Sequence, residues 1–321
     1  MIDENFLYII IIMSTSYMVL NYFYLKLSEK KDFLKINSEY GLHKNKVCNN
    51  GGIVFSSIFI IFVFYLSLTN GFLLDWQKEM PRPEILYIVF ILFFLTAIID
   101  QFFGLHPIYR LLIQVTLIFI SLSTIHFPIT DFIPLKLEYL LVLYFWVYII
   151  NTTNFIDGTD GMMTVSNLNI YFNIVLYSFL TNKFSVAYEI SILLIPISLI
   201  FLIFFNFPKA RMFIGDTGSI PLGFISGFLL FTLISDGELI LALAIFSYPI
   251  LDVTITLFIK TIIKKKLPWA RLYDYFFLKP VIQDGKSHLF VLKYNIFNSS
   301  ICLFSTYLVY SLNNKLFFLI S

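Results

Sequence analysis

An all-α, polytopic membrane protein is predicted by three features of this sequence: scarce charge, runs of about 20 apolar residues, and short polar breaks at regular intervals. Of its 321 residues, 59% are hydrophobic and 13% charged, against roughly a quarter charged in soluble domains. Every backbone polar group inside a bilayer must be bonded within a helix or a closed barrel. Barrel strands would be shorter and would alternate in polarity, so the runs predict helices. Ten spans follow, over residues 5–25, 52–70, 85–103, 108–126, 139–153, 162–180, 187–205, 219–235, 239–259 and 297–318, and residues 1–321 read as a single membrane domain. The first run is read as a helix rather than a signal peptide, because no basic stretch precedes it and no A-x-A-like site follows. Cys48 and Cys302 stand far apart, in neither a C-x-x-C nor a metal-ligand spacing, which argues against a disulfide or zinc framework.

Ten spans put both ends of the chain on one side. Allotting each Lys and Arg to a side by alternation leaves only Lys78, Arg82, Lys136, Lys183 and Lys315 with the ends; the rest of the 22 fall on the other. The positive-inside rule makes the basic side cytoplasmic. A multi-pass protein of the bacterial inner membrane, with both termini periplasmic, is therefore expected. The acids divide evenly, but on the basic side they cluster with Gly and Asn at the ends of spans. Acids held at a membrane boundary are costly unless paired, hydrated or bound to a cation, and so point to function.

The strongest cluster is Asn151-Thr-Thr-Asn154-Phe-Ile-Asp157-Gly158-Thr-Asp160-Gly161, at the basic end of the fifth span. Asn151, Asn154, Asp157 and Asp160 recur every three residues, which predicts that they share one side of a helix or tight turn. A helix cap needs one such residue, whereas here there are four. Hard oxygen ligands with spare positions suit magnesium holding substrate phosphates. A second cluster follows the seventh span, from Asn206 through Arg211 and Phe213 to Gly215-Asp216-Thr217-Gly218-Ser219. Ser219 or Thr217 is expected to cap the next helix, whose first amides would face a bound anion. Phe213 reads as core or lipid-facing on general grounds. Asp100 lies at the membrane surface, at the level of a lipid phosphate, and Arg110 is the one basic residue of its loop, suited to a phosphate. His43, ahead of Gly51-Gly52, is a weak signal by itself.

In combination these residues resemble a known family. N-x-x-N-x-x-D-G-x-D-G from Asn151, F-x-G-D-x-G-S from Phe213, Asp100 ahead of G-L-x-P-x-x-R-L-L-x-Q, and H-x(7)-G-G from His43 resemble the polyprenyl-phosphate N-acetylhexosamine-1-phosphate transferases of glycosyltransferase family 4. These are relatives of the phospho-N-acetylmuramoyl-pentapeptide translocase. The resemblance implies that Asn154, Asp157 and Asp216 hold magnesium, with manganese as an alternative, and the pyrophosphate. It places Asp160 and Phe213 at the uridine and Asp100 beside the lipid phosphate. Arg110 falls where the family keeps a Lys or Arg, Asn206 matches an N-x-P-x-A segment, and Asp252 matches a P-x-x-D without an assigned role. Asp100 and Asp157 become the candidate catalytic acids, and His43 and His288 candidate substrate-binding residues. UDP-N-acetylhexosamine, a polyprenyl phosphate and membrane lipid are the expected partners, with no nucleic acid and with a homodimer left open.

Three departures stand out. The family's pair of adjacent acids is here Asp100-Gln101, its histidine cluster is replaced by Arg271-Leu-Tyr-Asp274-Tyr275-Phe-Phe-Leu-Lys279, and the usual P-N-x-R ahead of the His43 loop is missing. The first two speak against the pentapeptide translocase itself and for a branch serving a surface polysaccharide. A secondary transporter would show an internal repeat and midplane charges, and a CDP-alcohol phosphotransferase would show D-G-x-x-A-R. The secondary transporter and an inactive scaffold of the same fold are the alternative readings.

Overall fold

A computed structural model describes residues 4–30, 47–70, 80–129, 133–267 and 278–320. Its long helices are α1 (Glu4–Lys30), α2 (Gly51–Asn70), α3 (Pro83–Phe103), α4 (Pro107–Ser121), α5 (Leu135–Phe155), α6 (Met162–Thr181), α7 (Val186–Phe201), α8 (Asp216–Ser235), α9 (Leu239–Phe258) and α10 (His288–Ile320). The wide-turn segments Leu202–Asn206 and Ile259–Ile263 extend α7 and α9, and one helical turn, Lys279–Ile282, precedes α10. The described residues contain no strand. The fold is that of an all-α, multi-pass membrane protein: eight helices are long and apolar enough to cross a bilayer. The other two, α6 and α10, carry more polar residues, because they bond to each other inside the bundle. Asn295 of α10 donates to Met162 O at 3.0 Å and to Ser166 Oγ at 3.0 Å, and Thr306 donates to Asn173 Oδ1 at 2.7 Å. The apolar pattern of the last span accordingly begins at 297, whereas the helix begins at His288.

Pro196, Pro221 and Pro249 lie inside helices, where a proline leaves a carbonyl without its usual N–H, and at the last two a side chain of another helix takes its place. Pro221 in α8 frees Thr217 O, which instead accepts from Ser56 Oγ of α2 at 2.9 Å. Pro249 in α9 frees Ile245 O, which accepts from Asn169 Nδ2 of α6 at 3.2 Å. In hydrocarbon an unbonded carbonyl costs several kcal/mol, so these side chains complete the backbone.

Helices α5 and α8 approach closely along Ser219, Gly223 and Gly227, small residues one turn apart. A Cβ on Gly223 would stand 2.7 Å from Ile150 Cα, and one on Gly227 2.2 Å from Trp146 Cδ1. Trp146 also donates its indole N–H to Phe224 O at 2.9 Å. This seam sets the C-terminal end of α5 against the N-terminal end of α8.

Candidate active site

Three chain reversals meet at that end of the bundle. After α3, Gly104 turns the chain at φ +63° and donates its N–H to Asp100 O at 2.7 Å, while Leu105 N–H donates to Asp100 Oδ1 at 2.7 Å. Pro107 then starts α4, whose first turn carries Arg110. The Arg110 guanidinium reaches back to Asp100 Oδ2 at 3.0 Å and across to Asp216 Oδ2 at 3.4 Å. Two clusters that are far apart in sequence thus form one site.

Asp216 occupies the first turn of α8, where the helix dipole favours negative charge. Gly215 before it, at φ +66°, directs its N–H to Asp157 Oδ2 at 2.9 Å. Asp157 is half-buried. Burial, with a smaller contribution from the Asp216 charge, pushes its carboxyl up to about 8 against the lowering pull of the Gly215 N–H. Asn154 Oδ1, on the last turn of α5, accepts from Ser219 Oγ at 2.8 Å. Ser219 therefore serves Asn154 rather than capping α8, and Gly215 is the cap residue, with no side-chain bond.

The three-residue spacing does not put all four polar side chains on one side. It holds while the helix lasts, and α5 ends at Phe155. Asn151 bonds Gln114 Oε1 of α4 at 2.7 Å, and Asn154 and Asp157 face the start of α8. Asp160, 2% exposed, turns away: its Oδ2 accepts from Ala210 N–H at 3.1 Å, and its Oδ1 lies 3.2 Å from His288 Nδ1. Asn206 is buried and fully employed, accepting from Gly161 N–H at 3.0 Å and Thr164 Oγ1 at 3.1 Å and donating to Met212 O at 2.9 Å. It pins the 156–161 turn to the 206–212 loop. Phe213 is also buried, and its N–H donates to Cys48 O at 2.7 Å. His43 and the Arg271–Tyr275 stretch lie outside the described residues.

The described residues contain no group of three His, Cys, Asp or Glu able to hold a metal alone. Asp157, Asp216 and the Asn154 amide oxygen instead make a two-carboxylate set. That set suits a magnesium ion which keeps waters and takes phosphate oxygens as further ligands. Burial first and the Asp216 charge second disfavour an ionised Asp157 carboxyl, and a cation bound there would offset both.

Comparison with known proteins agrees with this arrangement. The family described as "Glycosyl transferase family 4" matches residues 84–234, the stretch that carries Asp100, Arg110, Asn154, Asp157 and Asp216. Over residues 84–234 the chain is similar to glycosyl transferase family 4. Among curated relatives, the "Phospho-N-acetylmuramoyl-pentapeptide-transferase" of Leuconostoc citreum is 36% identical over 102 residues, 31% of each chain. That of Petrotoga mobilis is 31% identical over 197 residues, 55% of this chain and 58% of the relative. That of Staphylococcus aureus is 32% identical over 103 residues. The chain thus spans between about a third and three-fifths of the length of these relatives.

The sequence assigns no role in this site to the Gly51-Gly52 pair and a different one to Ser219. The Gly51-Gly52 pair lies where residues 48–52 run beside 212–218: Gly51 N–H donates to Phe213 O at 3.0 Å and Gly52 N–H to Ile214 O at 2.8 Å. Ser219 was read as a cap and is the partner of Asn154. A helical contact four residues into α8 was legible in principle, but its partner lies 65 residues away.

Proposed function

We propose that this chain transfers a sugar 1-phosphate from a UDP-N-acetylhexosamine to a polyprenyl phosphate, forming a polyprenyl-diphospho-sugar and UMP. A phosphate oxygen of the lipid attacks the sugar-linked β-phosphorus, and the bond from that phosphorus to the oxygen bridging the two phosphates breaks, so that oxygen leaves on UMP. Magnesium, bound through Asp157, Asp216 and Asn154, would neutralise pyrophosphate charge. The chain supplies positioning. Arg110, held between Asp100 and Asp216, is placed to orient an incoming phosphate, and Asp100 is the base or the nucleophile at the lipid phosphate. The N-terminal amides of α8 face the same space. Asp160 braces the nucleotide end, with His288 against it.

The observation that carries this reading is the Arg110 bridge between Asp100 and Asp216, since it joins the lipid-side acid to the metal-side acid in one site. The single acid at Asp100-Gln101 favours a surface polysaccharide or other cell-envelope glycan over the pentapeptide pathway. The positive-inside count supports a site opening to the cytoplasm of a bacterial inner membrane, with periplasmic termini. The test is a membrane assay with radiolabelled UDP-sugars, polyprenyl phosphate and magnesium. Lipid-linked product with release of UMP is expected, and transport of label without lipid product would overturn the proposal. Terminal tags reachable only from the cytoplasm would invert the orientation.

A further inference from the structure

The first two turns of α4 carry Arg110 yet bury almost nothing. From Pro107 to Ile113 no residue is buried, and Ile108, Tyr109, Leu111 and Leu112 are exposed; the first buried side chain of the helix is Gln114, 7% exposed. Apolar contact holds such a stretch weakly, because helices in a bilayer gain little from hydrophobic burial and such contact has no preferred direction. A glutamine buried there needs a partner for its amide.

That partner is on α5. Gln114 Oε1 accepts from Asn151 Nδ2 at 2.7 Å, and the same Asn151 amide donates to Val147 O of its own helix at 2.8 Å. The second bond fixes the Asn151 side chain, so it offers Gln114 a donor at one height and in one direction. Gln114 follows Arg110 on the same face of α4, about 6 Å further along the helix, and it lines a small pocket with Asp100, Arg110 and Ile220. Asn151 precedes Asn154 on one side of α5. A single amide-to-amide bond therefore ties the arginine turn of α4 to the turn of α5 that carries Asn154. The other link between these parts, Arg110 to Asp216, is longer at 3.4 Å and partly exposed.

We propose that Gln114 is a positioning residue for the transfer: through Asn151 it fixes the Arg110 turn of α4 at the height of Asn154 on α5. The role rests on the reaction proposed above, and Gln114 touches neither substrate. Without the bond, Asp100 and Arg110 stay together, because the reversal from α3 to α4 carries both. The pair is then free to shift against Asp157 and Asp216. Each substrate keeps its own contacts, and what is lost is the approach of one to the other.

The test uses the purified full-length protein in detergent with magnesium, short-chain polyprenyl phosphate and radiolabelled UDP-N-acetylglucosamine or UDP-N-acetylgalactosamine. It reads kcat, KM for each substrate and the unfolding midpoint. Gln114→Met keeps the side-chain length and helix preference but removes the acceptor. It should lower kcat about 100-fold and leave both KM values within about threefold of the parent. Combined with Asn151→Leu it leaves no amide unpaired, so this pair should unfold within a few degrees of the parent and remain as slow. The exchange Gln114→Asn with Asn151→Gln keeps the summed side-chain length and an amide on each helix. It should return kcat to within about tenfold of the parent. Gln114→Met within about threefold of the parent, an exchange that restores nothing, or a raised KM with kcat unchanged would each overturn the positioning role and leave the reaction standing. A parent that makes no lipid-linked product from either sugar would overturn the reaction and the role together.

Discussion

Gly52 carries no functional group, yet its replacement should disable the site. A Cβ at this position would stand 2.1 Å from Gly218 N, 2.5 Å from Gly218 Cα and 2.6 Å from Thr217 C. All three are backbone atoms, and ordinary contact begins at 3.4 Å, so residues 48–52 and 212–218 must part by about 1 Å. The strain of such overpacking is about 1–3 kcal/mol. The hydrogen bonds Gly52 N–H to Ile214 O and Phe213 N–H to Cys48 O resist the separation, so the displacement passes into Gly215 and Asp216. There it disturbs the 2.9 Å bond from Gly215 to Asp157 and the 3.4 Å contact of Asp216 with Arg110. A misplacement of about 1 Å at a reacting centre can cost on the order of 100-fold in rate. Gly52→Ala should therefore insert and fold, unfold at a lower temperature, and form lipid-linked product about 100-fold more slowly. Gly51→Ala is the control, because its added Cβ meets the side-chain atoms Met212 Sδ at 2.7 Å and Phe201 Cε2 at 2.8 Å rather than the backbone of 217–218. If Gly52→Ala keeps activity within about tenfold of the parent, roughly 1.4 kcal/mol of barrier, or if Gly51→Ala is equally damaged, the close approach does not position the site.

Asp157→Ala and Asp216→Ala should each lower turnover by orders of magnitude with helix content unchanged by circular dichroism; near-normal turnover in both would remove the proposed metal set. In metal-free protein the Asp157 carboxyl titrates above its unfolded value, so the folded chain holds an extra proton between about pH 4 and about 8. Its stability should fall as pH rises through that window, and Asp157→Asn should flatten the difference in unfolding midpoint between pH 6 and pH 8 measured in chelator. Asp100→Asn should be severe and Gln101→Ala mild, since only the first removes the charge needed at the lipid phosphate; a pH-rate profile with Asp100→Asn inside tenfold of the parent would strip Asp100 of its role. Asn169→Leu should destabilise by about 1 kcal/mol, and by less in a Pro249→Ala background, where Ile245 O regains its backbone donor; additive losses in thermal unfolding would deny that coupling.

The order and number of long helices were legible because a bilayer imposes one length scale on every span. Polar residues inside a span mimic the end of a helix. Lys293, Asn295 and Asn298 break the apolar pattern of α10, but Asn295 is 2% exposed and bonded to α6, so the helix continues through them to His288. No local pattern encodes a partner 133 residues away.

The candidate site divides along the same line. Which residue types matter was readable, since acids cannot lie in the apolar seam of α5 and α8 and must gather where helices end and backbone amides or an arginine can face them. How they are shared out was not. A spacing of three predicts a common face only inside a helix. Because α5 stops at Phe155, Asp157 and Asp160 leave it in different directions, one toward Gly215 and the other toward Ala210 and His288. The Arg110–Asp216 contact spans 106 residues and depends on α3, α4 and α8 packing at one height. Small residues at Gly52, Gly218 and Gly223 let α2 and α5 close on α8, so the chemistry depends on positions that carry no functional group at all.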